Sequence, residues 1–210
     1  MMIRRRFSIL IILLITLFYS ASPTKTLGQG GTPLEPFSQA ELEARVDAIL
    51  EGMSVEERVG QLFIVNFVGQ NATPADAISE LILDYRIGGV VLMEANNNIA
   101  NDVEDTPAQV ANLVNQLQTR AFEATRRELS SESSADREFF LPMFIAVDHE
   151  GDGFPNTHLR NGFTPIPSTM ALGATWSTAD VEAVGATIGQ ELAAVGINML
   201  LGPVVDVLER

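Results

Sequence analysis

Four runs of strand length, each almost wholly apolar, are separated by segments whose apolar residues recur at helical spacing. No other feature of the chain constrains its fold as much. The runs are residues 62–67, 88–93, 142–148 and 197–201, the last reaching on to 204–206. A strand that is apolar on both sides has no face for solvent, so it needs cover above and below, which parallel sheets obtain from crossover helices. The intervening segments supply such helices. Residues 74–85 place Ile78, Leu81, Ile82 and Tyr85 on one face, and residues 107–129 carry Val110, Leu113, Val114, Leu117 and Phe122. A third helix starts at Ser177, continues through Val181, Val184, Ile188 and Leu192, and stops at Gly196. Upstream, Leu42, Val46, Ile49, Leu50 and Met53 follow Ser38 at helical spacing, and Ser54 opens a shorter helix. In both cases a glutamate three residues on, Glu41 or Glu57, completes a capping box. Residues 130–138 are polar and read as a solvated loop.

The expected class is therefore α/β with parallel pairing, which leaves the doubly wound sheet and the (β/α)8 TIM-type barrel. No Gly-x-Gly-x-x-Gly fingerprint follows any strand, whereas Asn66, Glu94, Asp148 and Asp206 sit at strand carboxyl ends, where barrel enzymes build their sites. The barrel is the expectation. A complete one takes about 250 residues and the chain has 210, with about four βα units countable. It reads as the truncated amino-terminal half of a barrel.

The first residues belong to targeting. Residues 1–6 end in three arginines, residues 7–19 are an apolar run, and residues 20–31 are small and polar, the layout of a secretory signal. The run is short for a membrane span, which needs roughly 20 residues, so membrane attachment is expected only if the signal stays uncleaved. The domain reading is signal peptide 1–28, linker 29–37 and partial barrel domain 38–210, in a secreted or periplasmic, cell-envelope protein. There is no cysteine, so disulfides, thiolate metal sites and acylation at the amino terminus are excluded. Lys25, inside the signal, is the one lysine, which removes Schiff-base and P-loop chemistry from the mature chain. A formal charge of −14 argues against a nucleic-acid partner.

The densest polar group, Asp148-His149-Glu150-Gly151-Asp152-Gly153, follows the third apolar run. It imitates the start of a calcium loop, but the twelfth position, which needs a bidentate glutamate, holds Leu159. A zinc site through His149 and His158 is poor as well, because alternation turns His149 away from its acidic neighbours. His149 reads as a core or supporting histidine, and Trp176 as a packing residue. Asp148 and Asp206, at two neighbouring strand ends, suit recognition of sugar hydroxyls by carboxylates.

Five motifs in order then resemble the amino-terminal domain of glycoside hydrolase family 3. They are residues 53–63, residues 87–92 with Asn98-Ile99, residues 144–151, residues 162–167 and residues 202–207. The Gly-Gly-Val strand with its Asn-Ile loop looks most like the β-N-acetylhexosaminidase branch. The resemblance implies an exported retaining β-glycosidase removing terminal β-linked N-acetylglucosamine or glucose, with no metal or organic cofactor. It puts the nucleophile and the acid/base after Arg210, so no catalytic residue is expected within the chain and the fragment alone is expected to be inactive. Asp148 matches the aspartate that accepts hydrogen bonds from the non-reducing sugar. His158 stands where the family often has a sugar-binding arginine, and Arg160 is the substitute candidate. Asp206 aligns with an aspartate that orders the fourth strand end. The alternatives are a β-glucosidase-type member and a non-catalytic carbohydrate-binding or envelope remnant.

Overall fold

The computed structural model describes residues 37–129, 140–151 and 157–205. The signal, most of the linker, the loop at 130–138 and Asp206 lie outside the described residues. The chain divides into two compact units, Met1–Glu43 and Ala44–Arg210; the boundary falls within the first helix, and every element after that helix belongs to the second unit.

Helix α1, Gln39–Gly52, begins at the predicted box: the Ser38 amide donates to Glu41 Oε2 (2.8 Å) and the Glu41 amide to Ser38 Oγ (3.3 Å). Helix α2, Val55–Gly60, repeats this with Ser54 and Glu57. It stops against the carbonyl of Tyr85, which a side chain on Gly60 would strike. Strand β1, Ile64–Asn66, is followed by α3, Ala77–Tyr85, then β2, Gly89–Leu92, and a 3-10 turn at Glu94–Asn96. Helix α4 spans Thr106–Leu129, β3 Phe144–Val147, α5 Thr169–Ala174, α6 Thr178–Ala194 and β4 Met199–Leu200.

All neighbouring strands pair in parallel and their order is β1-β2-β3-β4. A doubly wound sheet reverses its strand order at a switch point. Here each strand is laid beside the last in one direction, as in a (β/α) barrel, in agreement with the barrel expectation. The core lies between β2 and β3 and helices α3 and α4. Val90, Leu92, Ile145 and Val147 pack with Ile82, Val110, Leu113 and Leu117, all nearly or wholly inaccessible. Each such side chain contributes about 1.5–3 kcal/mol by leaving water. Asn198 extends the sheet beyond its short fourth strand: its Oδ1 accepts from Ile145 N (2.8 Å) and its Nδ2 donates to the Met143 carbonyl (3.0 Å).

Four expectations need correction. The first apolar run was expected to be buried on both faces, but among the described residues β1 pairs with β2 alone and stands at the edge of the sheet, and Leu62, Phe63 and Ile64 are exposed. Helix α6 was expected to bury one apolar face. Only Leu192 is buried, and Val181, Val184 and Ile188 line a cavity of about 650 Å³ with His149 and Leu200. The apolar face of α1 is likewise uncovered, with Leu42, Val46 and Leu50 exposed. Strand β4 ends at Leu200 and does not take in Val204 and Val205; Pro203, which carries no amide to donate to a ladder, stands before them. No helix among the described residues is long and apolar enough to cross a membrane.

Candidate functional site

The carboxyl ends of β2 and β3 lie side by side, since Leu92 pairs with Val147 in register. The polar residues that follow each strand therefore meet. Asn98 ties the first two strand ends together. Fully buried, it accepts from Met93 N (3.0 Å) and donates to the carbonyls of Phe67 (3.1 Å) and Gly69 (2.8 Å). Gln109 on α4 holds the same loop from below, donating to the Asn98 carbonyl (3.0 Å) and accepting from Ala100 N (3.1 Å).

After β3 the chain carries Asp148 half-buried, His149 buried at 3% exposure and Glu150 half-buried. His149 bridges antiparallel to Thr157, which folds the segment holding His158 and Arg160 back over the strand end. Gly151 permits the turn: its φ of +94° lies in the left-handed region, and a Cβ there would run into the Pro167 carbonyl. Glu150 Oε2 accepts from Val204 N (3.2 Å), fixing the chain beyond β4.

Five buried side-chain polar atoms among the described residues lack a hydrogen-bond partner, and four of them belong to this one loop. They are Asp148 Oδ1, His149 Nδ1, Thr157 Oγ1 and His158 Nδ1. A buried polar atom left unpaired costs about 1–3 kcal/mol. Such a concentration makes this segment the candidate site among the described residues. Electrostatics agree. Burial, reinforced by the charge of Glu150, holds the Asp148 carboxyl above its ordinary 3.8, with His158 pulling the other way. Burial pushes the His149 imidazole below its ordinary 6.5, opposed by Glu191 and assisted by His158.

The His149 shift has a measurable outcome. Because the unfolded chain takes up a proton at this position more readily than the folded one, the associated stability is complete above pH 6.5 and is lost as pH falls through the lowered value. His149→Gln is expected to flatten that part of the profile. Urea denaturation midpoints of both proteins from about pH 7.5 to about pH 5 check this.

Of the three residues singled out from sequence, Asp148 and His158 both lie in the segment after β3 and both carry an unpaired buried atom. Arg160 is turned elsewhere. Its two terminal nitrogens meet the two carboxylate oxygens of Glu94 at 2.6 and 2.5 Å. Asp206 lies outside the described residues. Trp176, read as a packing residue, is 94% exposed with a φ of 53°. Asn101 and Thr157 were not singled out. Only Glu94 had a legible signal, as a polar residue ending an apolar run.

The barrel-type α/β sheet with unpaired buried polar atoms in the segment after β3 presents a candidate site at a strand carboxyl end, where barrel enzymes place theirs. The chain belongs to glycosyl hydrolase family 3, residues 54–210 matching the model described as the family's N terminal domain. It is 35% identical over 133 residues to β-hexosaminidase A of Pseudoalteromonas piscicida, an alignment covering 62% of this chain and 19% of that protein. It is 25% identical over 178 residues to a periplasmic β-glucosidase of Salmonella typhimurium, covering 85% and 18% of the two. Among solved structures, a glycoside hydrolase family 3 β-N-acetylglucosaminidase from Paenibacillus sp. superposes with a TM-score of 0.58 at 34% identity, covering 72% of this chain and 24% of that one. The chain thus spans about a fifth of the length of the curated relatives it matches.

Proposed function

We propose that this chain supplies the sugar-recognition side of an exported retaining O-glycosidase that removes terminal β-linked N-acetylhexosamines. The observation that carries the reading is that Asp148 Oδ1 and His158 Nδ1, both buried and without a hydrogen-bond partner, lie in the segment that follows β3 in a family 3 domain. A carboxylate in that state accepts hydrogen bonds from sugar hydroxyls, and an imidazole beside it donates or accepts according to its tautomer. Asp148 is then a recognition group. The attack on the anomeric carbon and the protonation of the leaving oxygen fall to two other groups.

The β-N-acetylhexosaminidase assignment is supported by the names of the Pseudoalteromonas and Paenibacillus relatives, and the β-glucosidase alternative by that of the Salmonella relative. Export is supported by the basic start and apolar run of the first 19 residues, and by the periplasmic designation of the same Salmonella protein. The organisation proposed with it is signal 1–28, linker 29–37 and barrel segment from 38. The test is hydrolysis of paired aryl substrates by the full-length protein. Faster release from the β-N-acetylglucosaminide than from the β-glucoside is expected, with retained anomeric configuration. The reverse preference would install the glucosidase reading, and hydrolysis of neither would leave a carbohydrate-binding protein without catalysis.

A further inference from the structure

The segment carrying His158 is held from the neighbouring strand's loop rather than from its own strand alone. Asn101, in the loop between β2 and α4, grips both sides of it. Its Nδ2 donates to the His158 carbonyl at 2.9 Å, and its Oδ1 accepts from the amides of Arg160 (3.0 Å) and Asn161 (3.2 Å). Asn161 returns the contact, donating to the Val103 carbonyl (2.6 Å) and to Thr106 Oγ1 (3.2 Å). The bidentate Glu94–Arg160 pair closes the same gap a few residues away. The His158 imidazole, by contrast, has a buried Nδ1 with no partner. Its placement is therefore set by the backbone that Asn101 holds, together with the packing around the ring.

We propose that Asn101, assisted by the Glu94–Arg160 pair, is a positioning residue that fixes the His158 imidazole beside Asp148 and thereby sets the affinity for the sugar. This rests on the sugar-site reading above. Asn101 touches no sugar in this scheme, and neither does Arg160, whose guanidinium is already engaged by a carboxylate in the geometry that best satisfies it. The electrostatic influence of His158 on Asp148 agrees with the two side chains sharing one site.

The experiment is a double-mutant cycle in the full-length protein, read as the dissociation constant for N-acetylglucosamine. Asn101→Ala is expected to weaken binding by about ten- to hundred-fold, the scale of loss when a recognition group moves by about an ångström. Asn101→Asp keeps the acceptor for two amides and is expected to restore most of the affinity. In a His158→Ala background, Asn101→Ala is expected to cost nothing further, since it acts through a ring that is no longer there. Full additivity of the two substitutions, or an unchanged dissociation constant with only a lowered melting temperature, would overturn the proposal. Asp148→Ala in the same assay separates the two levels. If it weakens binding while Asn101→Ala does not, the positioning role alone falls. If neither changes the affinity, the sugar site itself is elsewhere.

Discussion

Asn98→Leu is expected to lower the melting temperature by roughly 6–20 °C while its neighbour, Asn97→Gly, which keeps the left-handed backbone at φ 59° accessible, leaves it nearly unchanged. The two asparagines sit side by side in the run Asn96-Asn97-Asn98, yet only Asn98 is fully buried. Leucine has the same branched four-atom side-chain skeleton, so the change removes hydrogen bonds without opening a cavity. The Met93 amide loses its acceptor, and the carbonyls of Phe67 and Gly69 lose their donors. Three lost bonds at about 1 kcal/mol each, with added desolvation of the stranded groups, give about 3–5 kcal/mol. For a chain of this length each kcal/mol moves the melting temperature by about 2–4 °C. Asn97 is exposed and makes one side-chain contact, accepting from Gln70 Nε2 at 3.1 Å. Calorimetry of the two variants checks the contrast. Equal shifts would mean that the amide clamp between the first two strand ends contributes little.

That contrast also shows how much of the molecule was legible beforehand. Periodicity reported what every strand and crossover helix obeys locally, so the α/β class, the parallel pairing, both capping boxes and the placement of Asp148 at a strand end follow from the residues alone. Which asparagine of three turns inward depends on the path of a loop, and no local pattern encodes that. The same holds for Arg160: its partner Glu94 is 66 residues away, and only the register of β2 with β3 brings the two together. Burial was misjudged where it depends on what lies on the far side. β1 has the composition of a covered strand but stands at the edge of the sheet, and α6 has an apolar face that lines an open cavity. The correct and the mistaken expectations thus rest on the same rule. Apolar sequence reports a surface that calls for cover, and only the arrangement of neighbouring elements shows whether the described residues provide it.

Asp148→Ala is expected to separate activity from stability in opposite directions. In the full-length protein, kcat/KM for the aryl β-N-acetylglucosaminide should fall by about ten- to hundred-fold if one charge-assisted hydrogen bond to a sugar hydroxyl is lost. Two such bonds would bring the loss to about 10²- to 10⁴-fold, at roughly 1.5–3 kcal/mol each and about 1.4 kcal/mol per factor of ten. Asp148→Asn, which keeps an acceptor oxygen but not the charge, should fall between wild type and alanine. Folding stability should not follow. The carboxyl is held above its ordinary 3.8 chiefly by burial. The folded state therefore disfavours the ionised form, and the cost is present above the raised pKa and disappears as pH falls below it. Removing the carboxyl removes that cost together with an unpartnered buried oxygen, so at neutral pH the alanine variant should melt at the wild-type temperature or higher. A residue that only ended a strand or capped a turn would give the reverse pattern, with stability lost and the kinetics per folded molecule unchanged. The paired measurement of kcat/KM and melting temperature therefore assigns Asp148 to one role or the other.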